Sequence, residues 1–360
     1  MATLRGRRGI VLLVLGLAVA LALVLLASES GSNSKSVARP AAKTRIDTGT
    51  DVASSPPGYA RLQVALARGV DAAATLGGQV EAAAMLDDWS RPALASSEAD
   101  GAEREMRLWS MSKVPTMIAL LRGLGWGERA GKPTSPEVDE ALQGAITRSE
   151  NCHQRRVVLE LEHVAGGSAG ARAALAAVFR LAGAHAEVAE QTEAPEANCL
   201  AYLRGQSEIA DPLAPALLLG TSHWRVQGAV RLAHALAVET FGAAISRRVL
   251  ALMREPKLPS REVPVGELTA PLNWGAGNAF AGFDPAYKAG WGGSLNGNFL
   301  AGQIAVVGLP GGDHLAVAAM FHPDTQPSRD DPGITAAPRA LELIMDSLRQ
   351  EVESSGRRSH

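Results

Sequence analysis

Trp109-Ser110-Met111-Ser112-Lys113-Val114-Pro115 is the stretch from which the rest of the chain is read. At a helix start, residues three apart share a face, so the Lys113 amine can lie beside the Ser110 hydroxyl. A serine needs a neighbouring base to become a nucleophile, and a desolvated lysine near other cations can supply one. Backbone N–H groups at the helix N-terminus favour developing negative charge. Ser112 is one residue out of phase and points elsewhere, and Pro115 is compatible with a first helical turn. Only six of the 35 basic residues are lysine, which singles out each of them. The pattern alone is weak, because Ser32-Asn33-Ser34-Lys35 repeats it by accident in a polar stretch.

Working outward, Tyr59 to Leu76 carries Leu62, Ala65, Leu66 and Val70 on one helical face. Gln79–Leu86 and Arg91–Ser96 read as short strands joined at Asp87-Asp88-Trp89. A helix follows from near Ser110 to the glycines around Gly123, and Ser135 to about Leu252 is helical throughout. Strands return at Tyr287–Trp291, Gly302–Leu309 and His314–Phe321, the last two joined as a hairpin through Pro310-Gly311-Gly312-Asp313. Pro338–Val352 closes with a helix. This order predicts an α+β fold. One antiparallel sheet forms from both ends of the domain and is flanked by helices, with an all-helical lobe inserted.

Two further motifs give the first its weight. Ser149-Glu150-Asn151 fits S-x-N, 39 residues beyond Ser110, at a loop in the helical lobe. Its serine can pass a proton to a leaving nitrogen, and its amide can hold a substrate carbonyl. Lys288-Ala289-Gly290 opens a late strand that continues into Trp291. A lysine there can bind a carboxylate, and small residues let a substrate backbone lie along the strand. S-x-N recurs at Ser294-Leu295-Asn296, so the order and topology of the three carry more than any one.

Together these residues resemble the penicillin-recognising serine hydrolases, the class A-like β-lactamases and D,D-peptidases. Their S-x-x-K, S-x-N and K-[TS]-G motifs are matched by Ser110–Lys113, Ser149–Asn151 and Lys288–Gly290 over about 58–350. The resemblance implies that Ser110 is acylated and that Lys113 is its base or proton relay. Ser149 and Asn151 then serve the leaving nitrogen and the substrate amide, and Lys288 the substrate carboxylate. The backbone N–H groups of Ser110 and Trp291 form the oxyanion hole. Ala289 departs from the family by lacking the hydroxyl of the third motif, and the spacing of the motifs differs. The implied partner is a small-molecule β-lactam or a peptidoglycan peptide.

Gln191-Thr192-Glu193-Ala194-Pro195-Glu196-Ala197-Asn198 is similar to the family's omega-loop core with one extra residue. It makes Glu193 the candidate deacylating base and Asn198 its partner; the competing reading is a solvated acidic loop. Cys152 follows Asn151 and Cys199 follows Asn198. With two cysteines in an exported chain, one intramolecular pairing is possible, and a Cys152–Cys199 disulfide is expected. Two buried free thiols are the alternative.

The remainder sets the compartment and excludes other classes. Arg5, Arg7 and Arg8 precede an unbroken apolar run from Ile10 to Ala27, about 27 Å long as a helix, with positive charge on its N-terminal side. Residues 1–27 read as a membrane anchor, or as a signal segment removed on export, 28–57 as a flexible tether, 58–352 as the hydrolase domain and 353–360 as a polar tail. The expected location is extracytoplasmic, in a bacterial cell envelope. A net charge of −2, with no basic block after the N-terminus, argues against nucleic acid. The eight histidines show no metal-binding spacing, so no metal or cofactor is expected. His153 reads as a loop or surface residue, and Trp274 with Gly275 and Gly277 as a surface turn. A monomer is expected. Three functions compete: a β-lactam hydrolase, a penicillin-inhibited D,D-carboxypeptidase, and a non-catalytic wall-sensing domain that would not need a nucleophile–base pair.

Overall fold

The computed structural model describes residues 45–46, 58–98, 105–126, 134–187, 199, 223–257, 274–292, 300–324 and 333–356. Arg45–Ile46 is a two-residue strand, β1, inside the stretch read as tether. Helix α1, Tyr59–Ala74, buries Leu62, Ala65, Leu66, Val70 and Ala73 along one stripe. Strands β2 (Gly78–Leu86) and β3 (Ala93–Ser96) pair antiparallel after the turn at Asp87. Asp87 fixes the neighbouring hairpin as well: its Oδ2 accepts from the His314 backbone N–H at 3.0 Å and lies 2.9 Å from His314 Nδ1.

The two-residue strand β4, Met106–Arg107, leads into a 3-10 turn, Trp109–Ser112, and then helix α2, Lys113–Gly123. The helix expected from near Ser110 therefore opens tighter than α. The lobe consists of α3 (Pro136–Thr147), α4 (Asn151–Ala165) and α5 (Ser168–Leu181), followed after β5 (Ala186–Glu187) and β6 (His223–Trp224) by α6 (Val226–Ala237) and α7 (Ala243–Met253). Ser135 caps α3 by accepting from Val138 N, with Pro136 in the first turn. Strands β4, β6 and β5 form a small antiparallel sheet that sequence patterning did not predict, since two-residue strands leave no periodicity.

A short helix α8 (Ala276–Ala279) precedes β7 (Ala286–Gly292), β8 (Leu300–Gly308) and β9 (His314–Pro323). Helix α9, Gly333–Gly356, extends beyond the expected Pro338–Val352 at both ends. The main sheet runs β1-β3-β2-β9-β8-β7, antiparallel throughout, so strands from the two ends of the domain meet at β2 and β9. Residues of both parities along β2, β8 and β9 are buried, so both faces are covered. Helices α1 and α9 pack together on one face and α6 packs on the other. This is the predicted α+β architecture, with β7 as the edge strand facing the helical lobe.

Alanines at 82–84, 316, 318 and 319 thin the middle of the sheet, and glycine brings the outer helices into contact. A Cβ on Gly69 in α1 would lie 2.7 Å from Ile344 Cα in α9. Alanine would favour helix α1 by about 1 kcal/mol. Backbone, however, cannot swing aside like a side chain, so the clash prevails. Gly69→Ala is expected to destabilise the fold by about 1–3 kcal/mol, read as a lowered denaturant midpoint at unchanged slope. Tyr287 on β7 gives a second test. Desolvation raises its pKa from 10.0 to about 12. The unfolded chain therefore ionises first as pH rises, and stability falls between pH 10 and about 12. Ultraviolet titration should show a late tyrosinate transition that Tyr287→Phe removes.

Candidate active site

Ser110 lies half-exposed in the 3-10 turn, and Lys113 opens α2 with only 2% of its surface accessible. Burying an ammonium group is costly unless oxygens replace its water. The turn between α3 and α4 supplies them. Lys113 Nζ donates to the Ser149 carbonyl, to Asn151 Oδ1 at 2.9 Å and to Ser149 Oγ at 3.3 Å. Lys288, buried on β7, donates from Nζ to the same Ser149 Oγ at 2.8 Å and to its neighbour's carbonyl, Ala289 O, at 2.9 Å. Three motifs far apart in sequence thus converge on one hydroxyl.

That convergence directs a proton. A serine hydroxyl has two acceptor sites and one donor. When both lysines donate to it as ammonium groups, the Ser149 proton is left to point away from both. Two strained backbones flank this cluster. Trp109, just before Ser110, has φ 45°, and Ser149 has φ 57°. Left-handed conformations of non-glycine residues cost roughly 1–3 kcal/mol each and persist where surrounding contacts impose them.

Gly290 ties the edge strand to the 3-10 turn. A Cβ there would lie 2.9 Å from Leu108 O, 2.9 Å from Met111 N and 3.0 Å from Ser110 N, all of them backbone atoms. The strand can approach the Ser110 amide only because position 290 lacks a side chain. Ala289 and Trp291 flank it, both partly exposed.

Glu193 and Asn198 lie outside the described residues. Cys152, in the first turn of α4, is joined to Cys199 with Cα–Cα 5.0 Å, across a sequence separation of 47. Closing a loop of that length stabilises by about 4 kcal/mol in the chain-entropy account. His153 departs from its surface reading: it is 6% exposed, and its Nδ1 lies 2.6 Å from Glu150 Oε2. Glu150 is fully buried and also sits 3.0 Å from Arg148 Nε. No role for these three is legible in the sequence, because an acidic residue at a helix start ordinarily reads as a solvated cap. Gly275 is a turn with φ 63°, anchored by Gln303, whose Nε2 donates to Trp274 O and whose Oε1 accepts from Ala276 N.

A separate cleft of about 730 Å³ lies beside the small sheet, among His185, His223, Trp224, Arg225 and Arg231. It contains none of the converging groups. Among the described residues no cluster of metal-ligating side chains is present.

No family model and no curated protein matches the sequence. Solved structures do match the fold. PBP-A, in an acyl-enzyme complex with penicillin G, is 14% identical with a TM-score of 0.50 over 82% of this chain and 100% of its own. The extended-spectrum β-lactamase TLA-1 is 15% identical, also with a TM-score of 0.50, over 81% of this chain and 99% of its own. At such identities the likeness is one of fold. The chain has the fold of the penicillin-recognising serine hydrolases.

Gly290→Ala should push β7 off the Ser110 turn. The expected result is a folded protein in which a crystal structure shows β7 shifted and Lys288 Nζ drawn away from its 2.8 Å contact with Ser149 Oγ. An unmoved β7 would refute the dependence on this approach.

Proposed function

We propose that this protein is a serine hydrolase that opens β-lactam amides through an acyl-serine at Ser110. The observation that carries this reading is the Ser149 hydroxyl, held between Lys113 and Lys288 so that its proton is directed outward. With Lys113 as the neutral amine, that amine accepts the Ser110 hydroxyl proton as Ser110 Oγ attacks the lactam carbonyl carbon, which leaves Lys113 as the ammonium that donates to Ser149 Oγ. The developing oxyanion lies against the backbone N–H groups of Ser110 and Trp291. Cleavage of the C–N bond leaves a nitrogen that takes the Ser149 proton, which the lysines replenish. Asn151 holds the substrate amide and Lys288 the substrate carboxylate. Hydrolysis of the ester then requires an activated water, for which Glu193 is the candidate base.

The setting is part of the proposal. Ile10–Ala27 anchors the chain, or serves as its export signal, and the domain faces outward in a bacterial envelope. That run lies outside the described residues; among those described, no helix is long and apolar enough to cross a membrane. A penicillin-inhibited D,D-peptidase is the second reading, favoured by the one-residue offset around Glu193. Toward penicillin it differs in the fate of the acyl-enzyme.

Fluorescent penicillin separates the readings. Wild-type protein should become covalently labelled and Ser110→Ala should not. For a hydrolase, label turns over quickly and Glu193→Gln slows its loss by roughly 10²–10⁴-fold. A wild-type acyl-enzyme that persists for hours would replace the lactamase reading with the peptidase one. Labelling that survives Ser110→Ala would remove both.

A further inference from the structure

Beside the reacting groups lies a buried charged cluster that the proposed chemistry does not use. Glu150, the middle residue of S-x-N, has a side chain with no exposed surface. Its Oε2 sits 3.0 Å from Arg148 Nε and 2.6 Å from His153 Nδ1, and Arg148 Nη2 lies 3.4 Å from His153 Nε2. The three side chains close a triangle in which Glu150 Oε2 approaches both partners closely without an aligned hydrogen bond to either. A buried carboxylate persists only when charge or donors compensate it, so the triangle has one stable arrangement rather than many.

The triangle encloses the turn that carries Ser149. Arg148 precedes that serine and Glu150 follows it, and Glu150 N donates to Gly144 O at 3.0 Å. Gly144 is bare for a reason: a Cβ there would lie 2.3 Å from His153 Cγ, so the imidazole packs directly on the α3 backbone. Residues 148 and 150 are thus both fixed, and the chain between them must turn through the left-handed conformation at Ser149. Asn151, the next residue, opens α4 and bonds to Lys113.

We infer that Glu150 is a positioning residue: with Arg148 and His153 it forces Ser149 into the left-handed turn that places its hydroxyl between Lys113 and Lys288. The inference rests on the acyl-serine reading for its kinetic consequence but not for its geometric one. Glu150 touches no reacting atom in this account. Its effect reaches the chemistry through Ser149 alone.

Crystal structures of the wild type and Glu150→Gln, with acylation kinetics alongside, test it. In Glu150→Gln, Ser149 should leave positive φ and its Oγ should lose contact with Lys288; an unchanged Ser149 overturns the inference whatever the substrate. Glu150→Gln should slow penicillin acylation about 100-fold in the wild-type background. In a Ser149→Ala background the same change should cost less than about 3-fold, because the group it positions is already gone. Equal losses in the two backgrounds would mark a merely structural role and refute positioning. Should Glu150→Gln fail to fold, Gly144→Ala displaces His153 without altering the triangle's own residues, and the same two readouts apply. A wild type that penicillin does not acylate would defeat the proposed function, while the crystal comparison would still decide the role of Glu150.

Discussion

The site is organised by the need to bury the Lys113 ammonium. An α-helix cannot satisfy a cation at its own first residue, because N-terminal N–H groups are donors, as the ammonium is. Oxygens must therefore come from another segment, and the α3–α4 turn provides a carbonyl, a hydroxyl and an amide oxygen together. Ser149 contributes two of these, its carbonyl and its hydroxyl. An uncompensated buried charge would cost several kcal/mol, more than the roughly 1–3 kcal/mol of a left-handed serine, so the strain is the smaller of the two terms. Lys288 adds a second ammonium to the same hydroxyl, which fixes β7 against the lobe. The large sheet and the lobe meet at a pair of cations sharing one oxygen.

The disulfide extends this arrangement. Cys152 lies immediately after Asn151, so the bond to Cys199 places that residue beside the same turn. On the other side, Gly290 lets β7 reach the backbone around Ser110. The Ser149 turn is thus constrained from α2, from β7, from the charge triangle beneath it and from a covalent link. Few degrees of freedom remain, as the directional proton transfer proposed for Ser149 would require.

Much of this was legible in the sequence, for identifiable reasons. Apolar positions such as Leu62, Leu66 and Val70 repeat at the helical period because one face must leave water, and they located α1 within two residues at its C-terminal end. The late strands were legible from β-rich runs divided by Pro310-Gly311-Gly312. Lys113, Ser149 and Lys288, which the structure brings together, stood out because S-x-x-K, S-x-N and K-A-G follow one another in an order that the topology can converge. The Arg148–Glu150–His153 triangle was not legible. Its meaning depends on burial, and an i, i+2, i+5 set of charges on a helix start looks the same when solvated. The small sheet was equally silent, since its strands are held by neighbours rather than by their own pattern.

The one departure within the motifs, Ala289, falls where the structure can absorb it. Lys288 is held by Ser149 Oγ and by the Ala289 carbonyl, and neither contact involves the side chain at 289. A hydroxyl at that position is therefore dispensable for assembling the site. Gly290 is different, because any side chain there meets three backbone atoms of the Ser110 turn. What Ala289 removes is one hydrogen bond offered to a bound anion, worth about 1.5–3 kcal/mol when the acceptor is charged. A substrate carboxylate does not change its charge as the amide is attacked, so such a loss weakens ground state and transition state alike. In the proposed reaction the departure would bear on how tightly a carboxylate-bearing substrate is held, while the contacts around Ser149, on which the bond-breaking step would depend, are left intact.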